Sequence, residues 1–333
     1  MKTALKAIIS LVLTGIFLWI TFDNVDWQSL FQTFRTTDPL GIIGAAAIVI
    51  LSCVHRAWRW QILLAPVSKD IRFASAFKAV LIVYAGNNVF PRAGELARVV
   101  SLTRSHPLPM GAVVASVIVE RLLDMLALLF LFAIVLVFAR DKIAQAFPGL
   151  ESVGIVALFG VIFAFAMLIA LSIYGERGIE NFERLTEKIS PNIAHKISEL
   201  LRAFIQGMAG IGSAESYAGI FITTVLTNFC YILSIYLPFY SFDFIEQYNL
   251  GLFDAMIVMV LASVGVVIPT PGGAGTYHFF CSKTLHIFFN VPEVQALAFA
   301  TAVHGAAFLA FFLFGGPPLF RMLWTQKKEV QKT

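Results

Sequence analysis

Charge is scarce in this chain. Asp, Glu, Lys and Arg make up only 13% of its 333 residues, about half the share of an ordinary soluble domain, while 59% are hydrophobic. That imbalance excludes a water-soluble globule. Cysteine is scarcer still: Cys53, Cys230 and Cys281 each lie in an apolar run, and an odd count without paired spacing argues against both a disulfide framework and a zinc site. Long polar stretches are lacking too. The longest, Gly175 to Ala214, is too short for a catalytic domain, and no Ser-His-Asp arrangement, HExxH or paired-Cys signature occurs. A basic stripe is also missing. The net charge is +4 and the Lys and Arg residues sit at the ends of apolar runs, so nothing points to nucleic acid.

Apolar runs fill the space these absences leave. They fall at about 4–22, 40–64, 73–90, 111–138, 152–174, 216–240, 252–289 and 294–314. Several reach the ~20 residues needed to cross a hydrocarbon layer ~30 Å thick, which predicts an all-α polytopic membrane protein. Lys2 and Lys6 ahead of the run Ala7 to Ile20 imitate a secretory signal, but Thr21-Phe22-Asp23 offers no small-x-small cleavage site. An uncleaved first helix is expected.

Loop charge then orients the chain. Residues 23–38 carry Asp23, Asp26 and Asp38 against Arg35, and residues 241–250 carry Asp243 and Glu246; both loops are expected outside. Residues 55–72 hold Arg56, Arg59, Lys69 and Arg72, and the tail holds Arg321, Lys327, Lys328 and Lys332, which places both, and both termini, in the cytoplasm. A cell membrane, the bacterial inner membrane, is the expected location. Arg92, Arg98 and Arg104 would lie outside if 73–90 crossed the membrane. The positive-inside rule is satisfied if 73–90 dives in and Glu95 to Arg104 returns as a second half-helix. The same reasoning gives a second, oppositely oriented hairpin at 252–289.

The tips of the two hairpins read alike. Val89-Phe90-Pro91-Arg92-Ala93-Gly94-Glu95 and Val267-Ile268-Pro269-Thr270-Pro271-Gly272-Gly273 each end an apolar half-helix in Pro-x-x-Gly. The expected architecture is six spanning helices plus two re-entrant hairpins arranged as an inverted repeat. All of it forms one membrane domain, 1–333, with 1–138 as the first half and 152–314 as the second. Paired broken segments in corresponding halves point to a transporter site near the midplane; a chance match among Pro- and Gly-rich membrane helices is the plainer alternative. Within the second half, 176–214 reads as a cytoplasmic amphipathic segment. Ser190 can cap it, Pro191 can open it, and Ile193, Ile197, Leu200, Leu201 and Phe204 share one face.

Four features could carry chemistry. Around the first break stand Asn87, Asn88, Pro91, Arg92, Gly94, Glu95 and Arg98. A broken helix survives in a bilayer only when buried in protein or lining a wet cavity, and arginines beside its free amides suit an anion. The second feature is Glu120-Arg121-Leu122-Leu123-Asp124 inside the run 111–138. Glu120 lies about ten residues from the cytoplasmic end, or ~15 Å at 1.5 Å per residue, close to mid-membrane. Glu120 and Asp124 share a face, and Arg121 can pair with Asp124. Arg92, Arg98 and Arg121 against Glu95, Glu120 and Asp124 make three charges of each sign. Two readings stand: a structural ion-pair cluster, or an arginine clamp that an anionic headgroup enters.

The third feature, Pro269 to His278, contains Pro271, Gly272, Gly273 and Gly275. It could cradle a phosphate with its amides or simply make a tight turn. The fourth, His278, His286 and His304, has no metal-binding spacing, so polar contacts between helices are expected and neither metal nor cofactor is. The run Ile48 to Trp60, with His55, Arg56, Trp58, Arg59 and Trp60, reads as an interfacial girdle.

In order and spacing, Asn87 to Arg98, Glu120 to Asp124 and Pro269 to Gly275 resemble the lysylphosphatidylglycerol synthase transmembrane family, also called flippase-like domain proteins. The resemblance covers nearly the whole chain. It implies a bilayer-embedded domain that moves phospholipid between leaflets, here as the membrane domain alone, with no soluble transferase expected after residue 314. Relatives are also associated with polyprenyl-linked sugars. One departure is His278, where the family usually has an acidic residue. The expected function is translocation of a phosphate-bearing lipid, anionic or polyprenyl-phosphate, by a protein that is more a transporter than an enzyme. The alternative is an integral-membrane transferase or an accessory subunit of lipid glycosylation.

Overall fold

The computed structural model describes residues 2–23, 25–90, 93–188, 190–191, 194–195, 198–199, 202 and 213–330. Every regular element among them is helical: α1 Lys2–Phe22, α2 Trp27–Thr36, α3 Pro39–Leu64, α4 Phe73–Val89, α5 Ala93–Ser105, α6 Met110–Ala146, α7 Leu150–Glu187, α8 Ala214–Ser241, α9 Phe244–Tyr248, α10 Leu252–Val267, α11 Thr276–Phe289 and α12 Glu293–Val330, with a 3₁₀ turn at Pro271–Gly273 before α11. Among the described residues, four helices are long and apolar enough to cross a membrane, in α3, α6, α8 and α12. The count is five if α1 and α2, bent by 85° across their link, form one broken span. The protein is thus an all-α polytopic integral membrane protein.

Local sequence explains the boundaries. Asp26 caps α2 by accepting from the backbone N–H groups of Gln28 and Ser29, and Asp38 caps α3 by accepting from Leu40 with Pro39 in the first turn. The polar loop expected at 23–38 therefore holds a helix. Three expected helices run longer than their apolar cores: α6 continues to Ala146, α7 to Glu187 and α12 to Val330, because the residues beyond each apolar run are still good helix formers. In α12 this includes passage through Pro317 and Pro318.

α3 lies along α8, and α12 packs on α3, α4 and α11. A Cβ added at Gly41 would strike the Leu237 carbonyl of α8, so glycine sets this close approach. Two apolar cores result. One joins α3, α4, α5 and the first half of α6 around Trp60, Leu64, Val80, Leu102 and Val113; the other joins the second half of α6 with α8, α10, α11 and α12 around Val135, Phe239, Leu261, Leu285 and Phe299. Along α6, Glu120 to Asp124 falls between Val119 of the first core and Phe132 of the second.

Of the expected amphipathic segment 176–214, the apolar-face residues Ile193, Ile197, Leu200, Leu201 and Phe204 lie outside the described residues. Of the described part, Arg202 pairs with Glu176 at 2.7 Å and Glu183 at 3.0 Å, and His195 lies 3.2 Å from Glu183. The chain after α7 thus returns against the polar end of that helix. Glu183 is held below its ordinary carboxylate range, first by the hydrogen bond with His195 and next by Arg202.

Candidate functional site

The site is built where α3, α5 and α6 meet. Glu120, fully buried, accepts from Arg56 Nη2 of α3 at 2.6 Å, from Arg98 Nη2 of α5, and from Arg121 Nη2 at 3.1 Å. Asp124, one turn further along α6, accepts from Arg56 Nη2 at 3.0 Å and from Arg59 Nη2. Helix spacing explains the fork: Glu120 and Asp124 are four apart, Arg56 and Arg59 are three apart, so each pair presents one face. Arg121 reaches Asp124 at 3.3 Å and Glu95 of α5 at 3.5 Å, and Arg98 lies 3.9 Å from Glu95.

A polar and aromatic shell orients the guanidinium groups. Arg56 Nη1 donates to Tyr231 Oη of α8 at 3.2 Å, Tyr231 is 2.9 Å from Tyr84 Oη of α4, and Arg59 Nη1 donates to Thr224 of α8 at 3.0 Å. Arg98 lies over the Trp60 ring at 4.2 Å from its centre, and Trp60 Nε1 donates to Ser116 at 3.0 Å. These contacts tie five helices to one polar centre. At the centre of a bilayer an isolated charge costs at least ~2.5 kcal/mol, so on helices apolar enough to span one, pairing is what permits such arginines.

Arg56 and Arg59 overturn the girdle reading. Both are buried, as is Trp60, whereas Trp58 is exposed; the packing of α3 on α6 and α8 turns the two arginines inward. Their signal was the i,i+3 pair of cations on a helix with no carboxylate of its own, facing a neighbour with two. With them the balance changes: the described cluster holds Arg56, Arg59, Arg98 and Arg121 against Glu95, Glu120 and Asp124, four positive charges to three negative. Arg56 Nε, Arg59 Nε, Arg121 Nε, and Arg98 Nε and Nη1 are buried donors without a hydrogen-bond partner. Arg121 is the open edge of the group, its side chain 40% exposed.

Pro91 and Arg92 lie outside the described residues. On either side of them, α5 packs against α4, Asn87 Oδ1 accepts from the Gly94 N–H at 2.9 Å, and a Cβ at Gly94 would strike the Val83 carbonyl. Asn87 and Gly94 therefore hold the break itself rather than the charge cluster. Asn88 reaches the other broken segment. Its Oδ1 lies 3.0 Å from where a Cβ on Gly272 would stand, and Gly272 has the left-handed φ of +58°.

The second break is a separate polar spot. Thr270 and Thr276 hydroxyls lie 3.1 Å apart across the turn formed by Pro269, Pro271 and Gly273, and the Gly275 N–H donates to His278 Nδ1 at 3.3 Å. The His278 and His304 rings are centred 4.9 Å apart, and Phe22 of α1 packs on His278. His286 lies elsewhere, with Nδ1 2.9 Å from the Val291 carbonyl. Asn88 and Gly272 link the two breaks; no contact described here brings His278 to the arginines. Among the described residues no group of three or more metal-ligating side chains occurs.

Fold and site together define an integral membrane helix bundle with a buried arginine–carboxylate centre. The chain belongs to the family described as the lysylphosphatidylglycerol synthase TM region, whose model matches residues 7–315. It is 25% identical over 324 residues to the glycosyltransferase AglD of Haloferax volcanii, a match covering 88% of this chain and 50% of that protein. It is 25% identical over 308 residues to the UPF0104 membrane protein MJ1595 of Methanocaldococcus jannaschii, covering 88% of each. This chain thus corresponds to about half the length of the first relative. No solved structure gives a significant match.

Proposed function

We propose that the protein moves a phosphate-bearing lipid, a phospholipid or a polyprenyl-phosphate-linked one, between membrane leaflets. The observation that carries this reading is the charge imbalance at the centre. Among the described residues four arginines face three carboxylates, with five buried guanidinium N–H positions left unbonded. A monoanionic phosphate diester supplies the missing negative charge and accepts from those donors, and arginine is the side chain suited to it. Acyl or prenyl chains stay in lipid throughout, so only the headgroup needs a polar path. Family membership supports the same reading.

In this proposal Arg98 and Arg121 bind the phosphate with Arg56 and Arg59 behind them, and Glu95, Glu120 and Asp124 hold the arginines when the site is empty. Arg92, known from its sequence position alone, remains a candidate for the same clamp. Asn87, Pro91 and Gly94 shape the first tip; Asn88, Pro269, Pro271, Gly272, Gly273, Gly275 and His278 shape the path onward. We take α4–α5 and α10–α11 as re-entrant hairpins of opposite orientation, six helices as spanning, and 1–138 and 152–314 as inverted halves with both termini in the cytoplasm of a bacterial inner membrane. The meeting of Asn88 with Gly272 supports this arrangement, since it brings the two broken segments together as a midplane site requires.

The glycosyltransferase name of the Haloferax relative favours a second reading, a membrane transferase or accessory subunit of lipid glycosylation. Purified protein given labelled lipid and a sugar donor separates them: translocation leaves lipid mass unchanged, whereas transfer adds the mass of the sugar.

A further inference from the structure

The Gly315 region of α12 presses on α4, where a Cβ at Gly315 would strike the Leu81 carbonyl and lie 2.9 Å from Ala85 Cβ. Immediately beyond, Pro317 and Pro318 remove two backbone donors from α12. There α4, α5 and α12 border a cavity of about 840 Å³. This lies within the roughly 300–1,000 Å³ range of small-molecule sites. Its lining is asymmetric. Among the described residues that line it, Lys78, Arg104 and Arg321 are charged and none is acidic, and Phe77, Leu81 and Phe314 are among those forming an apolar wall. All three cations are exposed.

This cavity is distinct from the charge centre: it contains none of Arg56, Arg59, Arg98 or Arg121. The exposed cations Lys78 and Arg321 and an apolar wall opening beside long hydrophobic helices match one kind of occupant, an amphiphile with an anionic head and hydrocarbon chains. A soluble phosphate would use the cations and leave the wall idle; a neutral lipid would do the reverse. We propose that this groove is an intake site for an anionic phospholipid, with its phosphate against Lys78 and Arg321 and one chain along Phe77, Leu81 and Phe314. The proposal rests on the translocation reading for its purpose but not for its binding. Because α4 and α5 form both this groove and the first break, a lipid held here is one helix pair away from the arginine centre. At the cytoplasmic end, the groove would set which lipids reach that centre and at what concentration.

The test uses the full chain in nanodiscs of phosphatidylcholine with increasing phosphatidylglycerol, scoring bound lipid by native mass spectrometry and translocation in matched vesicles. Two variants are compared with the parent: Lys78→Gln with Arg321→Gln, which removes charge at exposed positions, and Ala74→Trp, which fills the groove without changing charge. The expected result is the loss of one tightly bound phosphatidylglycerol in both variants. In transport, the phosphatidylglycerol fraction giving half-maximal rate rises at least fivefold in the charge variant, with the maximal rate retained. Inorganic phosphate at millimolar concentration is expected not to displace the lipid. Unchanged phosphatidylglycerol retention in both variants, equal retention of phosphatidylcholine, or displacement by inorganic phosphate overturns the proposal. Should the parent bind the lipid here yet move none, the translocation reading fails while the site stands.

Discussion

Arg56 and Glu120 stand 64 residues apart in the chain and 2.6 Å apart in the fold. Their bond crosses from α3 to α6 and fixes the geometry of everything around it, since Glu120 also holds Arg98 and Arg121. Removing one member of a buried ion pair leaves the other uncompensated, at a cost of about 3–5 kcal/mol. Glu120→Gln is therefore expected to lower thermal stability sharply, by more than ten degrees in fluorescence-detected unfolding, and to lose activity with it. A Glu120→Gln protein as stable as the parent would show that the arginines do not depend on this carboxylate.

Arg121 separates binding from folding. Its side chain is 40% exposed and its partners are shared with better-buried arginines, so its removal still leaves Glu120 and Asp124 paired with Arg56 and Arg59. Arg121→Gln should unfold within a few degrees of the parent while translocation falls at least tenfold. Equal losses of stability and transport would instead identify a structural ion-pair cluster.

Close approach at the first break is tested by two glycines. Gly94 touches Val83 so nearly that even a methyl group collides with backbone, whereas a Cβ at Gly111 meets nothing within 4 Å. Gly94→Ala should cost several kcal/mol or prevent folding, as overpacking against an immovable atom does, and Gly111→Ala should be close to neutral. Size-exclusion profiles and unfolding temperatures in detergent report both.

Labelling decides the topology. Cys53, Cys230 and Cys281 are buried, which leaves a low background for single cysteines introduced at Ser68, Ser105, Asp243 and Glu293. Ser68 and Ser105 should react with an impermeant maleimide from one face, and Asp243 and Glu293 from the other. Opposite faces for Ser68 and Ser105 would make α4 and α5 something other than a re-entrant pair, and with that the inverted repeat is lost.

The membrane class, the breaks at 89–95 and 267–273, and the partnership of Glu95, Arg98, Glu120, Arg121 and Asp124 were legible because each rests on local spacing or on the cost of charge in lipid. Arg56 and Arg59 were not. Beside Trp58 and near a cluster of loop cations they satisfy the positive-inside rule as girdle residues, and only the long-range packing of α3 on α6 turns them toward Glu120 and Asp124. Their inclusion converts an apparent balance of three against three into an excess of one arginine among the described residues. Asn87 and Asn88, taken together in the sequence, do different work: one caps the Gly94 amide and the other meets Gly272. Helix α2 was hidden because a ten-residue polar segment capped by Asp26 reads, without its partners, as a loop.

Reconstitution tests the function most directly. Protein in liposomes carrying a fluorescent phosphatidylglycerol or polyprenyl phosphate on both leaflets is mixed with a quencher that cannot cross the bilayer. Inner-leaflet fluorescence is expected to decay faster than in protein-free vesicles, and that acceleration is expected to vanish in Arg121→Gln vesicles shown to hold folded protein. No acceleration for any phosphate-bearing lipid with the folded parent protein, or full acceleration in Arg121→Gln, would contradict a phosphate carried through the arginine centre.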